Sequence, residues 1–344
     1  MTSQDIAHRR LFSQQIAGKD FTEPAELVRW MGCIRAEDHA GAKWAVGSRV
    51  TGSTEKDIEQ ALHQGRILRT HVLQPAWHFI SPEDIRWMLA LTAPPLKAFN
   101  KEIYHALGID PAVLRKSKRV IARALEDGQM TRSQLWEVLK KEHIHVDDLR
   151  MGWLLMDAEL DGLICSGRME GRQPAYVLLD QRAPPIKQRE KEENIAELAR
   201  RYFLSRGPAT IRDFMGWSGL RPADVRTGME LNKQWLTSEV FNGEVYWFDA
   251  SGASINRNDS LFLLPALDEW AIAYAGNSLF KPVVIIDGQT GGTWTHVKGK
   301  GTVTVEVVTP LRRDRVLQAA IRREAERYSL FLGKKLRWDG QEHL

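Results

Sequence analysis

Apolar residues along the chain recur at spacings of three and four, and short alternating runs typical of strands follow each such stretch. Two β-prone runs, "RILRTHVL" and "AWHFIS", flank Gln74-Pro75 and indicate a β-hairpin. Residues 1–81 are therefore predicted to form helices closed by a hairpin. The helices expected before this hairpin span residues 6–16, 24–35, 42–50 and 54–63.

The same order of elements is predicted twice more. In the second stretch, Ser81 and Pro82 have the chemistry of a helix start, and the strands are "GLICSG" and "AYVLLD". In the third, Asn242-Gly243 is typical of a type I′ hairpin turn. Helices followed by a hairpin are the pattern of a winged helix, a helix-turn-helix with a β wing. Helices are expected over 96–107, 111–126, 131–142 and 147–161, and then in "TIRDFMGWSG" and "RPADVRTGMEL".

The C-terminal part changes to a β-rich pattern. The segment "KPVVIIDGQTGGTWTHVKGKGTVTVEVV" predicts a small β-barrel or sheet, and one basic amphipathic helix is expected over 312–332. The predicted fold class is α+β and mainly α: three tandem winged-helix units, then a C-terminal β-barrel-like domain, concave overall. The predicted domains are residues 1–81, 82–185, 186–255 and 256–344.

Composition indicates a soluble globular protein: 43% of the 344 residues are hydrophobic and 27% are charged. The sequence contains no run of about 18 uncharged apolar residues, so no membrane span is predicted. The N-terminus lacks the apolar core of a signal peptide. Cys33 and Cys165 lie far apart beside apolar residues, which indicates buried free thiols in a reducing cytosol. The expected location is the cytoplasm, in association with the nucleoid.

Positive charge is concentrated in a few segments, although the formal net charge is only +4. Segments such as "RKSKRVIAR" and "IRREAERY" predict a positive face for a polyanion. Ordinary solvated helix faces are the alternative. The candidate phosphate contacts are Arg66, Arg69, Lys116, Lys118 and Arg119.

Four polar residues interrupt the apolar segment "MGCIRAEDHAGAKWAVGSRV". Arg35, Glu37, Asp38 and His39 lie within five positions, and the apolar pattern resumes afterwards. Either a helix end is exposed there, or the charges line a site.

Together with "AWHFISPEDIRWML", "LLPALDEW" and "IIDGQTGGTW", this segment resembles the winged-helix DNA-binding family that includes the AlkZ and YcaQ bacterial DNA glycosylases. The similar stretches occur in the family's order along almost the whole chain. The resemblance implies three tandem winged helices, a C-terminal β-barrel and double-stranded DNA as partner. We expect a monomer without a cofactor or metal.

The resemblance also implies a catalytic position. Family glycosylases carry Gln–apolar–Gln or Gln–apolar–Asp where this chain has Arg35-Ala36-Glu37. A carboxylate can stabilise the oxocarbenium ion of N-glycosidic cleavage and deprotonate the attacking water, so Glu37 is the catalytic candidate. Arg35 cannot accept a proton and would hold a phosphate or pair with Glu37. Three functions stay open: a glycosylase for alkylated or bulky bases, a non-catalytic regulatory or architectural DNA-binding protein, and, as a minor option, modules that serve protein contacts.

Other polar residues have both a functional and a structural interpretation. His78 matches a family histidine beside the DNA groove, or it is a hydrogen-bonded structural histidine. Asp268 and Glu269 in "LLPALDEW" face the concave side, or they cap a turn or pair with arginines. His143-Ile144-His145 lacks further metal ligands and predicts a loop.

Overall fold

The computed structural model describes residues 1–171, 173–185, 189–250, 261–275, 280–312 and 314–338. The domain boundaries predicted at residues 186 and 255–256 lie outside this set. Within it, no helix combines the length and the apolar character required to cross a bilayer. The structure is mixed α/β, and its helices and strands follow one another in three similar stretches and a β-rich C-terminal part.

The first stretch consists of four helices and a three-stranded sheet. The hairpin predicted from "RILRTHVL" and "AWHFIS" is confirmed, and its second strand lies at the centre of the sheet. The elements are α1 (Ser3–Ser13), α2 (Pro24–Met31), β1 (Cys33–Arg35), α3 (His39–Gly47), α4 (Glu55–His63), β2 (Leu68–His71) and β3 (Trp77–Ile80).

The helix predicted over residues 24–35 is wrong at its C-terminal end. Helix α2 stops at Met31 because Gly32 adopts a left-handed backbone, with φ of 78°, that ends helices and suits glycine. The chain then forms β1, in which Arg35 lies opposite His78 of β3. Arg35 is therefore placed by a strand and not by helical spacing.

The second stretch has the same order after one long helix. Its sheet has β6 between β4 and β5. The elements are α5 (Ile85–Ala106), α6 (Pro111–Ala124), β4 (Met130–Thr131), α7 (Arg132–Lys141), α8 (Asp148–Leu160), β5 (Ile164–Glu170) and β6 (Gln173–Leu178), followed by a 3-10 turn over Leu179–Gln181.

Helix α5 corrects the prediction of two separate helices in this region. It runs without a break through Pro94 and Pro95, which lie on its exposed side. Leu91 and Leu96 on either side are buried. The packing of this apolar face outweighs the loss of two N–H donors.

The third stretch ends in the predicted type I′ hairpin, since both Asn242 and Gly243 have left-handed φ angles, of 49° and 79°. Ala209 forms an isolated bridge to Trp247 and occupies the place of a third strand. The elements are α9 (Lys191–Arg206), α10 (Ile211–Ser218), α11 (Pro222–Leu231), β7 (Leu236–Phe241) and β8 (Glu244–Asp249).

The C-terminal part is a curled half-barrel sheet in the described residues, in agreement with the prediction of a small β-barrel or sheet. Five strands lie in the order β13-β12-β11-β10-β9, so β9 and β13 form its two edges. Helix α13 packs against this sheet. The elements are β9 (Leu261–Leu264), α12 (Glu269–Ile272), β10 (Val283–Ile286), β11 (Gln289–Lys298), β12 (Thr302–Val308), α13 (Arg315–Phe331) and β13 (Lys335–Arg337).

The C-terminal sheet shares one hydrophobic core with the first stretch. The indole N–H of Trp44 donates to the carbonyl of Leu263 over 2.7 Å, and its ring packs on Tyr328 and Phe331. A Cβ at Gly47 would collide with the Phe331 ring, so α3 and α13 approach closely. This shared core brings the C-terminal part against the segment that carries Arg35 and Glu37.

Candidate functional site

The polar cluster begins where β1 leaves its sheet. Ala36 still donates its N–H to the carbonyl of Trp77 over 2.6 Å, and its own carbonyl accepts from Nε of Arg69 over 2.9 Å. Both backbone groups on the N-terminal side of Glu37 are therefore fixed. Asp38 then caps α3 by accepting the N–H of Ala40 over 3.1 Å.

Arg35 and Glu37 form a two-point ion pair. Nε and Nη2 of Arg35 both donate to Oε2 of Glu37, over 3.0 Å and 2.8 Å. The side chains are 19% and 36% exposed, so water and a ligand can reach both. Ile34 and Trp44 are buried in the same core, with Trp30 partly buried against it.

Glu269 binds the backbone of this segment on its buried side. Its Oε1 accepts the backbone N–H of Arg35 over 3.0 Å, and its Oε2 accepts from Arg206 over 2.6 Å and from the indole of Trp217 over 3.2 Å. Burial raises the pKa of the Glu269 carboxyl, but the charge and hydrogen bonds of Arg206 outweigh it and hold the pKa below its usual value. Glu269 is therefore ionised and is a positioning residue for Arg35.

Arg206 extends the same anchor to the start of β1. It is fully buried and donates to the carbonyls of Met31 and Cys33, over 2.8 Å and 2.9 Å. Sequence reasoning missed this residue. The only available signal was the acidic pair of "LLPALDEW", which requires basic partners if it is buried.

Asp268 corrects the prediction that it faces the concave side. It is fully buried and receives two hydrogen bonds from Arg49, over 2.7 Å and 2.8 Å. It also caps α12 through the N–H of Trp270. The structural interpretation describes both acids, since Asp268 caps a helix and pairs with Arg49, and Glu269 pairs with Arg206.

His78 lies behind the cluster and is only 3% exposed. Its Nδ1 bonds the carbonyl of Ala76 over 2.9 Å, and burial lowers its pKa to about 4. His39 is the first residue of α3 and packs edge-on against Phe79. Burial, with the charges of Lys43 and Arg69, lowers the pKa of His39 to about 4. Both imidazoles are therefore neutral near pH 7.

The predicted phosphate contacts do not lie together. Arg69 adjoins the cluster, whereas Lys116, Lys118 and Arg119 lie on α6 of the second stretch. Lys118 is held by Asp157 over 2.9 Å and also contacts Asp161. Lys116 donates to the carbonyl of Glu142 over 2.6 Å.

Arg66 and Arg119 differ in whether another side chain binds them. Arg66 pairs with Glu23 over 2.9 Å near the end of α4. Arg119 is exposed, and within the described ranges no ion pair or hydrogen bond holds its side chain. The structure thus brings together Arg35, Glu37, Asp38, His39 and Arg69, with His78 behind them.

No group of three or more histidine, cysteine, aspartate or glutamate side chains suited to a metal ion occurs in the described part of the chain. Cys33 and Cys165 are buried free thiols, as predicted, and burial raises the pKa of both. The chemistry of the cluster is that of a surface carboxylate beside a guanidinium.

Comparison with known proteins adds two findings. The family model described as "DNA glycosylase AlkZ-like" matches residues 28–279, and that range includes the whole cluster. The fold is similar to that of the Streptomyces sahachiroi DNA glycosylase AlkZ, with a TM-score of 0.79 and 17% sequence identity over 98% of this chain and 99% of that one. No curated protein matches the chain.

Proposed function

The chain belongs to the AlkZ-like DNA glycosylase family, and from this premise we propose that it hydrolyses the N-glycosidic bond of alkylated or bulky bases in double-stranded DNA. A DNA glycosylase-like function is the family's; the substrate class and the residue roles are our proposal. The observation that carries it is the exposed carboxylate of Glu37, held by Arg35 where family glycosylases have their catalytic motif.

The geometry supports a hydrolytic role for Glu37. As the bond to the base breaks, positive charge develops on the sugar, and a nearby carboxylate stabilises it. The same carboxylate can accept the proton of a water that attacks C1′. With Ala36 fixed on both sides by hydrogen bonds, the carboxylate is presented from a rigid backbone. That rigidity reduces the cost of orienting it for reaction.

Arg35 limits what the site can do. The guanidinium donates hydrogen bonds but cannot accept one, whereas an amide at this position could position the attacking water. We therefore expect slow excision that is restricted to labile cationic lesions, whose glycosidic bond already breaks readily.

DNA would bind to a surface formed by three winged-helix units. In support, each of the three stretches has the order helix, strand or bridge, two helices and a hairpin. The exposed Arg119 on α6 is one candidate for a contact with a phosphate of the DNA backbone. A concave monomer is part of this proposal.

A non-catalytic DNA-binding protein is the second candidate. Two donors of Arg35 are bound to the carboxylate of Glu37, and Arg35 replaces the amide of the family motif. In that case Arg35 would contact a phosphate and Glu37 would only orient it. Both candidate functions use the same DNA-binding surface. The modified base is excised only if the protein is a glycosylase.

One experiment separates the two candidates. Duplex DNA that contains N7-methylguanine is incubated with the wild type and with Glu37→Gln, and abasic sites are counted. The matched control is Glu23→Gln, which disrupts another exposed arginine–glutamate pair. We expect the wild type and the control to produce abasic sites and Glu37→Gln to produce none, with DNA affinity within about threefold, or roughly 0.65 kcal/mol. Equal excision by Glu37→Gln excludes the catalytic role, and DNA binding without excision by the wild type favours the second candidate.

A further inference from the structure

A cavity of about 530 Å³ opens beside the Arg35–Glu37 cluster. One wall comes from α3 and α4, and the other from the β5–β6 hairpin of the second stretch. Its volume is in the range of sites that hold small organic molecules. The residues on which the argument depends are His39, Lys43, Arg69, Ser166 and Met169.

Two of the basic groups in this cavity add little positive charge. Lys43 is held by Glu55 over 2.7 Å and by Glu59 over 2.6 Å. His39 is neutral because burial, reinforced by Lys43 and Arg69, lowers its pKa to about 4. A wall of this kind suits a neutral ligand better than a phosphate.

Arg69 is the polar group with unused donors. Its Nε donates to the carbonyl of Ala36, and its guanidinium lies 4.2 Å above the ring of Trp77. Its backbone N–H donates to Oγ of Ser166 over 2.7 Å, which ties β2 to the far wall. Within the residues that the structure describes, no ion pair or hydrogen bond engages its two Nη groups. They are available to an acceptor in the cavity.

We propose that this cavity binds the alkylated guanine that the enzyme releases, with an Nη group of Arg69 donating to O6. This inference rests on the proposed glycosylase function. Arginine is the usual partner of the guanine O6/N7 edge. Alkylation at N7 leaves O6 as the acceptor on that edge, whereas adenine has an amino donor at that position. The site therefore prefers guanine over adenine.

The charge balance of cleavage agrees with such a site. When the bond from C1′ to N9 breaks, its electron pair stays on N9, and the cationic N7-alkylguanine leaves as a neutral base. The hydroxide part of the water adds to C1′, and its proton goes to Glu37. The guanidinium of Arg69 repels the cationic substrate base but not the neutral product. The neutral base is therefore the species that this cavity accommodates.

The test measures binding of free bases by calorimetry, without DNA. The probes are 7-methylguanine and 7-methyladenine, and the variants are Arg69→Gln and Met169→Trp. Met169 is 47% exposed at the cavity, so tryptophan can fill the opening without disturbing a core. The control is Val240→Trp on the β7–β8 hairpin, where the side chain of Val240 is 69% exposed.

We expect 7-methylguanine to bind the wild type and Val240→Trp equally, and each of the two cavity variants at least tenfold more weakly. We expect 7-methyladenine to bind the wild type at least tenfold more weakly than 7-methylguanine. No binding of 7-methylguanine by the wild type, equal affinity for both bases, or full affinity in Met169→Trp would overturn the proposal. Excision of the base without binding of the free base would reject the binding site in the cavity but not the glycosylase function. Binding of the free base without excision would reject the glycosylase function but not the binding site.

Discussion

The backbone N–H of Arg35 donates a 3.0 Å hydrogen bond to Oε1 of Glu269, a residue 234 positions further along the chain. The second oxygen of the same carboxylate is held by Arg206, which in turn binds the carbonyls of Met31 and Cys33. Two buried charges therefore fix both sides of the strand that leads to Glu37. The C-terminal part of the chain positions the candidate active site of the N-terminal part.

Replacing Glu269 tests this anchor. Glu269→Gln keeps the shape of the side chain but leaves the buried guanidinium of Arg206 without a counter-charge. Breaking a buried pair in this way costs about 3–5 kcal/mol, so the free energy of unfolding should fall by that order. Denaturant unfolding measures it, and excision should fall with it because β1 is no longer held.

The control for Glu269→Gln is Glu326→Gln, which disrupts an exposed pair with Arg322 on α13. A pair of this kind contributes about 0.3–0.5 kcal/mol. Similar losses in the two variants would show that Glu269 is not an anchor.

Sequence patterns predicted the local elements well. The hairpin at Asn242-Gly243 depends on interactions a few residues apart. The helix start predicted at Ser81 and Pro82 is too early, because α5 begins at Ile85 after its N-cap Asp84. The end of α2 was missed, although Gly32 carried the signal for it. The apolar periodicity of α2 continues past Gly32, so a prediction from periodicity alone extends the helix beyond the residue whose backbone conformation ends it.

The partners of the acidic pair could not be predicted. Asp268 pairs with Arg49 and Glu269 with Arg206, at separations of 219 and 63 residues. The chain has many arginines, and a sequence does not show which of them the fold buries. The Arg35–Glu37 pair was predictable because its members are only two residues apart.

His78 should make the protein less stable in acid. Burial lowers the pKa of His78 from 6.5 to about 4 in the folded chain. Between these values the unfolded chain binds more protons, so the stability present above pH 6.5 is lost as the pH falls towards 4. Between pH 7 and pH 5 the wild type should lose about 2 kcal/mol more than His78→Asn, which keeps an N–H donor for Ala76. Equal losses in denaturant unfolding at the two pH values would contradict this prediction.

The cations of α6 should differ in their contribution to DNA binding. Arg119 is exposed without a partner among the described residues, whereas Asp157 and Asp161 hold Lys118. If Arg119 contacts a phosphate, Arg119→Gln should reduce the slope of log affinity against log salt by about 0.9. Lys118→Gln should leave the slope unchanged and lower the stability instead. Fluorescence anisotropy with one duplex at several salt concentrations measures the slopes, and the opposite assignment would refute the prediction.

The last prediction concerns the departure of Arg35 from the family motif. Nε and Nη2 of Arg35 both donate to Glu37, so the guanidinium orients the carboxylate but cannot accept a hydrogen bond from water. An amide can do both. Arg35→Gln should therefore raise the single-turnover rate of N7-methylguanine excision, by on the order of tenfold, which corresponds to about 1.4 kcal/mol. Arg35→Ala should lower that rate because Glu37 loses its orientation. Both variants lose the same positive charge, so their DNA affinities serve as controls for each other and should agree. If Arg35→Gln is as slow as Arg35→Ala, the charge of Arg35 contributes to the reaction and the amide of the family motif offers this chain no advantage.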